Sequence, residues 1–144
     1  MEVGEYILKL YDIYVMLRSV TTDSRNIPQG SIFFALRGET FDGNRFAADA
    51  LRSGASLAVV DNPDVIQGLD DATRGEALRS GYFIVDDTLT ALQELATVHR
   101  LRLGIPIMAI TGTNGKTTTK ELTCAVMSAR FRVSATRGNL NNHI

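Results

Sequence analysis

Residues 111–118 read Thr-Gly-Thr-Asn-Gly-Lys-Thr-Thr, and their types and spacing suit them to hold a phosphate group. Small residues let a backbone curl until successive N–H groups point at one centre, and a helix starting at Lys116 adds the partial positive charge of its N-terminus. In such a cradle Gly112, Thr113, Asn114, Gly115, Lys116, Thr117 and Thr118 surround the nucleotide. The Lys116 ammonium reaches the β- and γ-phosphates, and the Thr117 hydroxyl ligates Mg²⁺. The general phosphate-loop pattern asks for glycine five positions before Gly115, where Ile110 stands. The plainer alternative is a glycine turn between strand and helix, with Lys116 and Thr117 as solvated first-turn residues. The apolar run before the loop and the Gly-Lys-Thr-Thr sequence favour phosphate.

Other polar groups are less specific. Asp23-Ser24-Arg25 offers a hydroxyl and a guanidinium to an anionic ligand, or else a turn in which Asp23 caps and Arg25 makes a surface pair. Asp42-Gly43-Asn44 is by default a tight turn. Asn139, Asn141 and Asn142 follow an expected strand, where open α/β sheets bind ligands, and equally suit an ordinary loop. Cys124 and His143 read as structural, and His99 as a solvated or hydrogen-bonded surface residue.

Several elements must position these groups. Ile7, Leu10, Tyr11, Tyr14 and Leu17 recur at helical spacing. Strands are expected at residues 20–22, 31–36, 57–60 and 82–85, separated by turns rich in Gly, Pro, Asn and Asp. Phe33 and Phe34 alternate, so one is expected in the core while the other lines a pocket. A short helix over 45–52 is expected to bury Phe46, Ala47, Ala50 and Leu51. Residues 62–80 have weak periodicity and read as variable surface. Asp86-Asp87-Thr88 can cap a helix whose face is marked by Leu89, Leu92, Leu95, Ala96 and Leu103. After Gly104, strand 107–110, the glycine loop, a helix from Lys116 to about Ala129 and strand 132–135 compose one βαβ unit. Two strands are too few for a stable parallel sheet, so the chain is expected to be cut inside a second domain and to fold mainly through residues 1–103.

Composition narrows the classes. The 144 residues are 44% apolar and 22% charged, which suits a folded domain. Fifteen basic residues against 16 acidic give a net charge of −1, arguing against nucleic acid bound by bulk charge and against a polybasic membrane anchor. One cysteine excludes an intrachain disulfide, and no Cys/His group has zinc-site spacing. The start has acidic residues and no continuous apolar core, unlike a signal peptide, and no run is long enough to span a membrane. A cytoplasmic protein is expected.

The loop after a short apolar strand resembles the ATP loop of the Mur ligases and their folylpolyglutamate synthase relatives. That family carries Gly-Thr-Asn-Gly-Lys-Thr/Ser, so Ile110 is no departure within it. Upstream, Asp23-Ser24-Arg25, then the run from Gly30 through Phe33-Phe34-Ala35 to Gly38, then Phe41-Asp42-Gly43-Asn44-Arg45-Phe46 are similar to the family's N-terminal pattern. The ending, Gly138-Asn139-Leu140-Asn141-Asn142-His143-Ile144, is most similar to the branch that adds D-Ala-D-Ala to a UDP-linked tripeptide.

The resemblance implies an α/β fold: a small uridine-nucleotide-binding domain over 1–103, then the incomplete start of a P-loop ATPase domain over 104–144. It implies an ATP-dependent amide-bond ligase of peptidoglycan precursor synthesis, with ATP and Mg²⁺ as cofactors. UDP-N-acetylmuramoyl-tripeptide and D-Ala-D-Ala are the implied substrates, joined through an acyl phosphate. Lys116 and Thr117 are the implied catalytic groups, Thr117 on the metal; Ser24, Arg25, Asp42, Gly43, Asn44, Asn139 and Asn142 are implied on the substrate. The second metal ligands, adenine pocket and C-terminal domain of the family lie outside these residues, so the chain alone is expected not to ligate. The ligase that adds the third peptide residue, a nucleotide-binding regulatory module and a small α/β binding domain stay open as alternatives.

Overall fold

A computed structural model describes residues 4–66 and 81–136. The chain divides into two compact units, Met1–Leu103 and Gly104–Ile144.

The first unit is built on four parallel strands in the order β1-β2-β3-β4: β1 (Val20–Thr21), β2 (Ile32–Phe34), β3 (Leu57–Val60) and β4 (Tyr82–Ile84). Val20 pairs with Ile32, Phe33 with Ala58 and Val59 with Phe83. Every residue of β2 and β3 is buried, as expected of parallel strands covered on both faces, which read as continuous apolar runs rather than alternating ones.

Helix α1 (Glu5–Leu17) and helix α3 (Thr88–Leu103) cover one face; α2 (Ala47–Arg52) covers the other. Phe34, Leu57, Val59 and Phe83 meet Ile7, Leu10, Leu95 and Val98 on the first face. Phe33, Ala58 and Val60 meet Ala47 and Ala50 on the second. Both phenylalanines are therefore core, one per face, and neither lines an open pocket. Small alanines on α2 allow a close approach to the sheet.

Three details differ from the sequence reading. The helix over 45–52 opens instead as a 3₁₀ turn, Gly43–Phe46, which rotates Phe46 outward; the residue is 42% exposed instead of buried. The inward face of α3 is Thr88, Ala91, Leu95 and Val98, while Ala96 and Leu103 are exposed. Strand β2 is shorter than 31–36, because Leu36 already turns back to accept from the Gly43 N–H at 2.9 Å. Most of the 62–80 stretch lies outside the described residues, apart from a 3₁₀ turn at Pro63–Val65.

Between α1 and α3, half-buried His99 has Nε2 3.4 Å from the Tyr14 hydroxyl and Nδ1 3.5 Å from that of Tyr11. Arg102 lies over the Tyr11 ring, 4.8 Å from its centroid. Helix α1 ends at Arg18, whose φ of 56° is left-handed and whose N–H donates to Tyr14 O at 2.7 Å. A side chain in that region is strained, so Arg18→Gly is expected to stabilise the unit by about 0.5–1 kcal/mol. Thermal unfolding checks this; an unchanged or lower midpoint contradicts it.

In the second unit, helix α4 (Lys116–Ser128) forms as expected and buries none of its residues. Residues 107–110 and 132–135, expected as strands, are unpaired: among the described residues of this unit no other strand offers a ladder. Ile105, Ile107, Met108, Leu122, Val126 and Phe131 consequently stand exposed. Cys124 is half-buried, its Sγ 4.0 Å from the Ser128 hydroxyl. Among the described residues, no helix is long and apolar enough to cross a membrane.

Candidate functional site

In an open parallel sheet the loops after the strands gather at the carboxyl edge, where ligands bind. Two of the sequence-predicted groups lie there, after the neighbouring strands β1 and β2. Following β1, Asp23 accepts from the Arg25 backbone N–H at 3.0 Å and from Arg25 Nε and Nη2 at 2.8 and 3.0 Å. This is the surface pair of the plainer reading, with the guanidinium folded onto its own turn. Half-buried Ser24 makes no hydrogen bond among the described residues.

Following β2, residues 37–44 form a tight, internally bonded loop. Arg37 bridges Asp42 in antiparallel fashion, and the Gly38 N–H donates to Phe41 O at 2.9 Å. The Phe41 ring lies against Gly38, and the residue is 56% exposed. Gly43 presses against the backbone beyond β2: a Cβ there would stand 2.5 Å from Leu36 O and 2.7 Å from Ala35 C. No side chain fits.

Asn44 is 1% exposed, and both ends of its amide are used. Nδ2 donates to Asp42 Oδ1 at 2.7 Å and Asp61 Oδ1 at 2.8 Å; Oδ1 accepts from the N–H groups of Asp61 and Asn62 at 3.1 and 3.3 Å. Its side chain thus ties the loop to the end of β3. Asp61, with its side chain 5% exposed, also forms an ion pair with Arg37 Nε at 2.8 Å; it accepts from the Thr88 N–H at 3.4 Å and shares the Thr88 hydroxyl, at 3.3 Å, with Ala35 O at 3.1 Å. The ends of β2 and β3 and the start of α3 are joined through this one carboxylate. Asp87 caps α3 by accepting from the Thr90 N–H at 2.6 Å.

Hydrogen bonds set the charges here. Those from Arg25 hold Asp23 down to about 2. Asn44 foremost lowers Asp42, and Thr90 foremost lowers Asp87, with Arg37 assisting in each case. A carboxyl whose folded pKa lies below its unfolded value lends stability that is complete above the unfolded value, near 4, and lost as pH falls through the folded one. The melting temperature is therefore expected to stay level from about pH 7 to about pH 5 and to fall below about pH 4. Asp42→Asn should flatten part of that fall; an identical acid limb in the variant contradicts the assignment.

The glycine loop belongs to the second unit. Gly112 has φ 151° and Gly115 φ 75°, both in regions that side chains rarely adopt, and Gly115 immediately precedes α4. No side chain caps the helix, whose first-turn N–H groups have no acceptors within it. Lys116 Nζ donates to Gly112 O at 2.5 Å and lies 3.5 Å from Thr113 O, so the ammonium sits inside the curve of the loop. Among the described residues it makes no ion pair. Residues 111–119 are exposed, and a Cβ at Gly115 would meet nothing within 4 Å. The arrangement fits a phosphate: two glycines at positive φ, a helix N-terminus and an ammonium with no ion pair among the described residues. No group of three or more His, Cys, Asp or Glu that could hold a metal is found among the described residues. Asn139, Asn142 and their neighbours lie outside them.

Residues 17–100 match the family model described as Mur ligase family, catalytic domain, and residues 110–144 match that of the Mur ligase middle domain. This chain belongs to the Mur ligase family. Among curated relatives, the UDP-N-acetylmuramoyl-tripeptide–D-alanyl-D-alanine ligase of Synechocystis sp. is 45% identical over 90% of this chain and 27% of its own length. The structure of MurF from Acinetobacter baumannii matches with a TM-score of 0.72 at 35% identity, covering 88% of this chain and 26% of that one. MurF ligase from Thermotoga maritima, solved in complex with ADP, matches with a TM-score of 0.69 at 25% identity, over 96% and 27%. The chain therefore spans about a quarter of the length of these Mur ligases.

Sequence reasoning did not single out Arg37, Asp61 and Thr88, which the fold brings together at this edge. Asp61 carried no distinctive signal, because Asp61-Asn62-Pro63 after the buried run Leu57–Val60 reads as an ordinary strand-ending turn.

Proposed function

We propose that this chain supplies the substrate-nucleotide unit and the phosphate loop of an ATP-dependent ligase that joins D-Ala-D-Ala to UDP-N-acetylmuramoyl-tripeptide. The observation that carries the reading is the Lys116 ammonium inside a loop whose two glycines take left-handed backbone, leading directly into a helix. Family membership and the relatives named as D-alanyl-D-alanine ligases support the choice over the ligase that adds the third residue. A regulatory nucleotide module gains no support from these relatives.

A carboxylate resists attack because its oxygen leaves poorly. ATP supplies the γ-phosphoryl group that converts the tripeptide carboxylate to an acyl phosphate, which the D-Ala-D-Ala amine attacks with expulsion of phosphate. In this chain, Lys116 neutralises charge developing on the transferred group, and the backbone N–H groups from Gly112 to Thr118 orient it. Thr117 would offer Mg²⁺ its hydroxyl. Although the family model over 17–100 is described as catalytic, we assign that unit to holding the uridine nucleotide, because the phosphate loop lies at 111–118. Ser24, Arg25 and the loop 37–44 stand at its ligand-binding edge; Gly43 and Asn44 shape that edge rather than display a group. Asn139 and Asn142 complete the proposed substrate contacts.

The test is phosphate release by the full-length ligase. Release that requires UDP-N-acetylmuramoyl-tripeptide and D-Ala-D-Ala together is expected. Release with UDP-dipeptide and a third amino acid instead overturns the substrate assignment.

A further inference from the structure

Two of the guanidinium groups at the carboxyl edge of the first unit, Arg25 and Arg37, differ in what they can offer. Arg25 spends Nε and Nη2 on Asp23, two residues away in an exposed turn. Arg37 is anchored by Nε alone, 2.8 Å from the buried Asp61 carboxylate, with Asp42 next at 3.8 Å. Its two terminal nitrogens have no partner among the described residues, and half of its side chain is exposed. Asp61 cannot swing away, because Asn44 and Thr88 hold the same carboxylate. The ion pair thus holds Arg37 at this edge before any ligand arrives, which lowers the ligand's cost of ordering it.

The surrounding charge tells which ligand atom fits. Arg37 faces Asp61 and Asp42, and its charge is also felt at Asp87, with Arg45 the other cation near Asp42. With the Asp23–Arg25 pair included, four carboxylates against three guanidiniums leave the edge net negative, so a diphosphate placed there would be repelled. An uncharged oxygen would not be, and the carboxylates can accept from hydroxyls. Resting on the uridine-nucleotide reading above, we propose that Arg37 donates to an uncharged oxygen of the nucleoside, a base carbonyl or ribose hydroxyl, and that Asp61 is its positioning residue.

The experiment titrates this chain with uridine and with UDP, at about 0.05 and 0.5 M salt, where screening lengths differ several-fold. Arg37→Met is expected to weaken both ligands by the same factor, about tenfold, at either salt concentration. Asp61→Asn should weaken them several-fold, and should add nothing in the Arg37→Met background. A merely structural Asp61 would weaken binding in that background too, and circular dichroism with urea unfolding verifies that each variant folds. Loss confined to UDP and shrinking with salt assigns Arg37 to the diphosphate and overturns the proposal, as does unchanged uridine binding by folded Arg37→Met. If the wild-type chain binds neither ligand, the uridine-nucleotide reading itself fails and takes this inference with it.

Discussion

Lys116→Ala in the full-length ligase is expected to lower kcat/KM for ATP by about 10²–10³-fold, the usual loss when one preorganised group facing developing charge is removed. The reason is positional. Gly115 delivers the chain into α4 so that Nζ returns to the Gly112 carbonyl at 2.5 Å, and no carboxylate competes for it among the described residues. When phosphate enters the curve, the ammonium exchanges two carbonyls for an anion, a stronger partner. Lys116→Arg should recover little, because a planar fork does not fit where a compact charge sat. Steady-state kinetics with ATP varied measures this, and UDP affinity should be untouched. An alanine variant retaining more than about a tenth of wild-type kcat/KM would show that Lys116 is a solvated first-turn residue.

The second large effect is on folding. Gly43→Ala places a Cβ 2.5 Å from Leu36 O and 2.8 Å from Leu36 N, and both are backbone atoms at the end of β2. Neither can rotate away as a side chain tip could. Relief requires the 37–44 loop to lift from the sheet, loosening Asn44 from Asp61 and Asn62 at the same time. Overpacking of this kind costs about 1–3 kcal/mol, and the coupled loss of buried hydrogen bonds adds about 1–3 kcal/mol more. For a unit of about 100 residues the melting temperature should fall by more than about 8 °C. Differential scanning fluorimetry decides it; a fall of under about 2 °C would mean that the loop accommodates the methyl group freely.

Sequence pattern reached the elements more readily than their details. Strands β2 and β3 were legible because parallel strands covered on both faces must be continuously apolar, and α1 because Ile7, Leu10 and Tyr11 repeat at helical spacing. The same continuity hid which face each phenylalanine serves, since a strand buried on both sides gives no alternation to read. Phe46 was misplaced because a 3₁₀ turn advances side chains by about 120° per residue rather than about 100°, a difference that spacing alone does not display. Residues 107–110 and 132–135 have strand composition but no neighbour, and strand pairing is a property of partners as much as of propensity. The glycine loop was the most legible part of the candidate site, being local: its positive-φ glycines and the following lysine lie within five residues. Arg37, Asp61 and Thr88 meet only through the fold, from three segments separated by more than 20 residues each. Their separation in sequence concealed a network that joins two strand ends and a helix start.

The most direct measurement is an amide-resolved NMR titration of this chain with Mg·ATP and, separately, with UDP-N-acetylmuramoyl-tripeptide. The expected result is two disjoint sets of shifts: Gly112 through Thr118 with ATP, and residues 21–25 and 37–44 with the uridine nucleotide. Shifts from ATP that miss Gly112 through Thr118, or a uridine ligand that leaves both carboxyl-edge loops unmoved, would contradict the division of labour proposed for the two units.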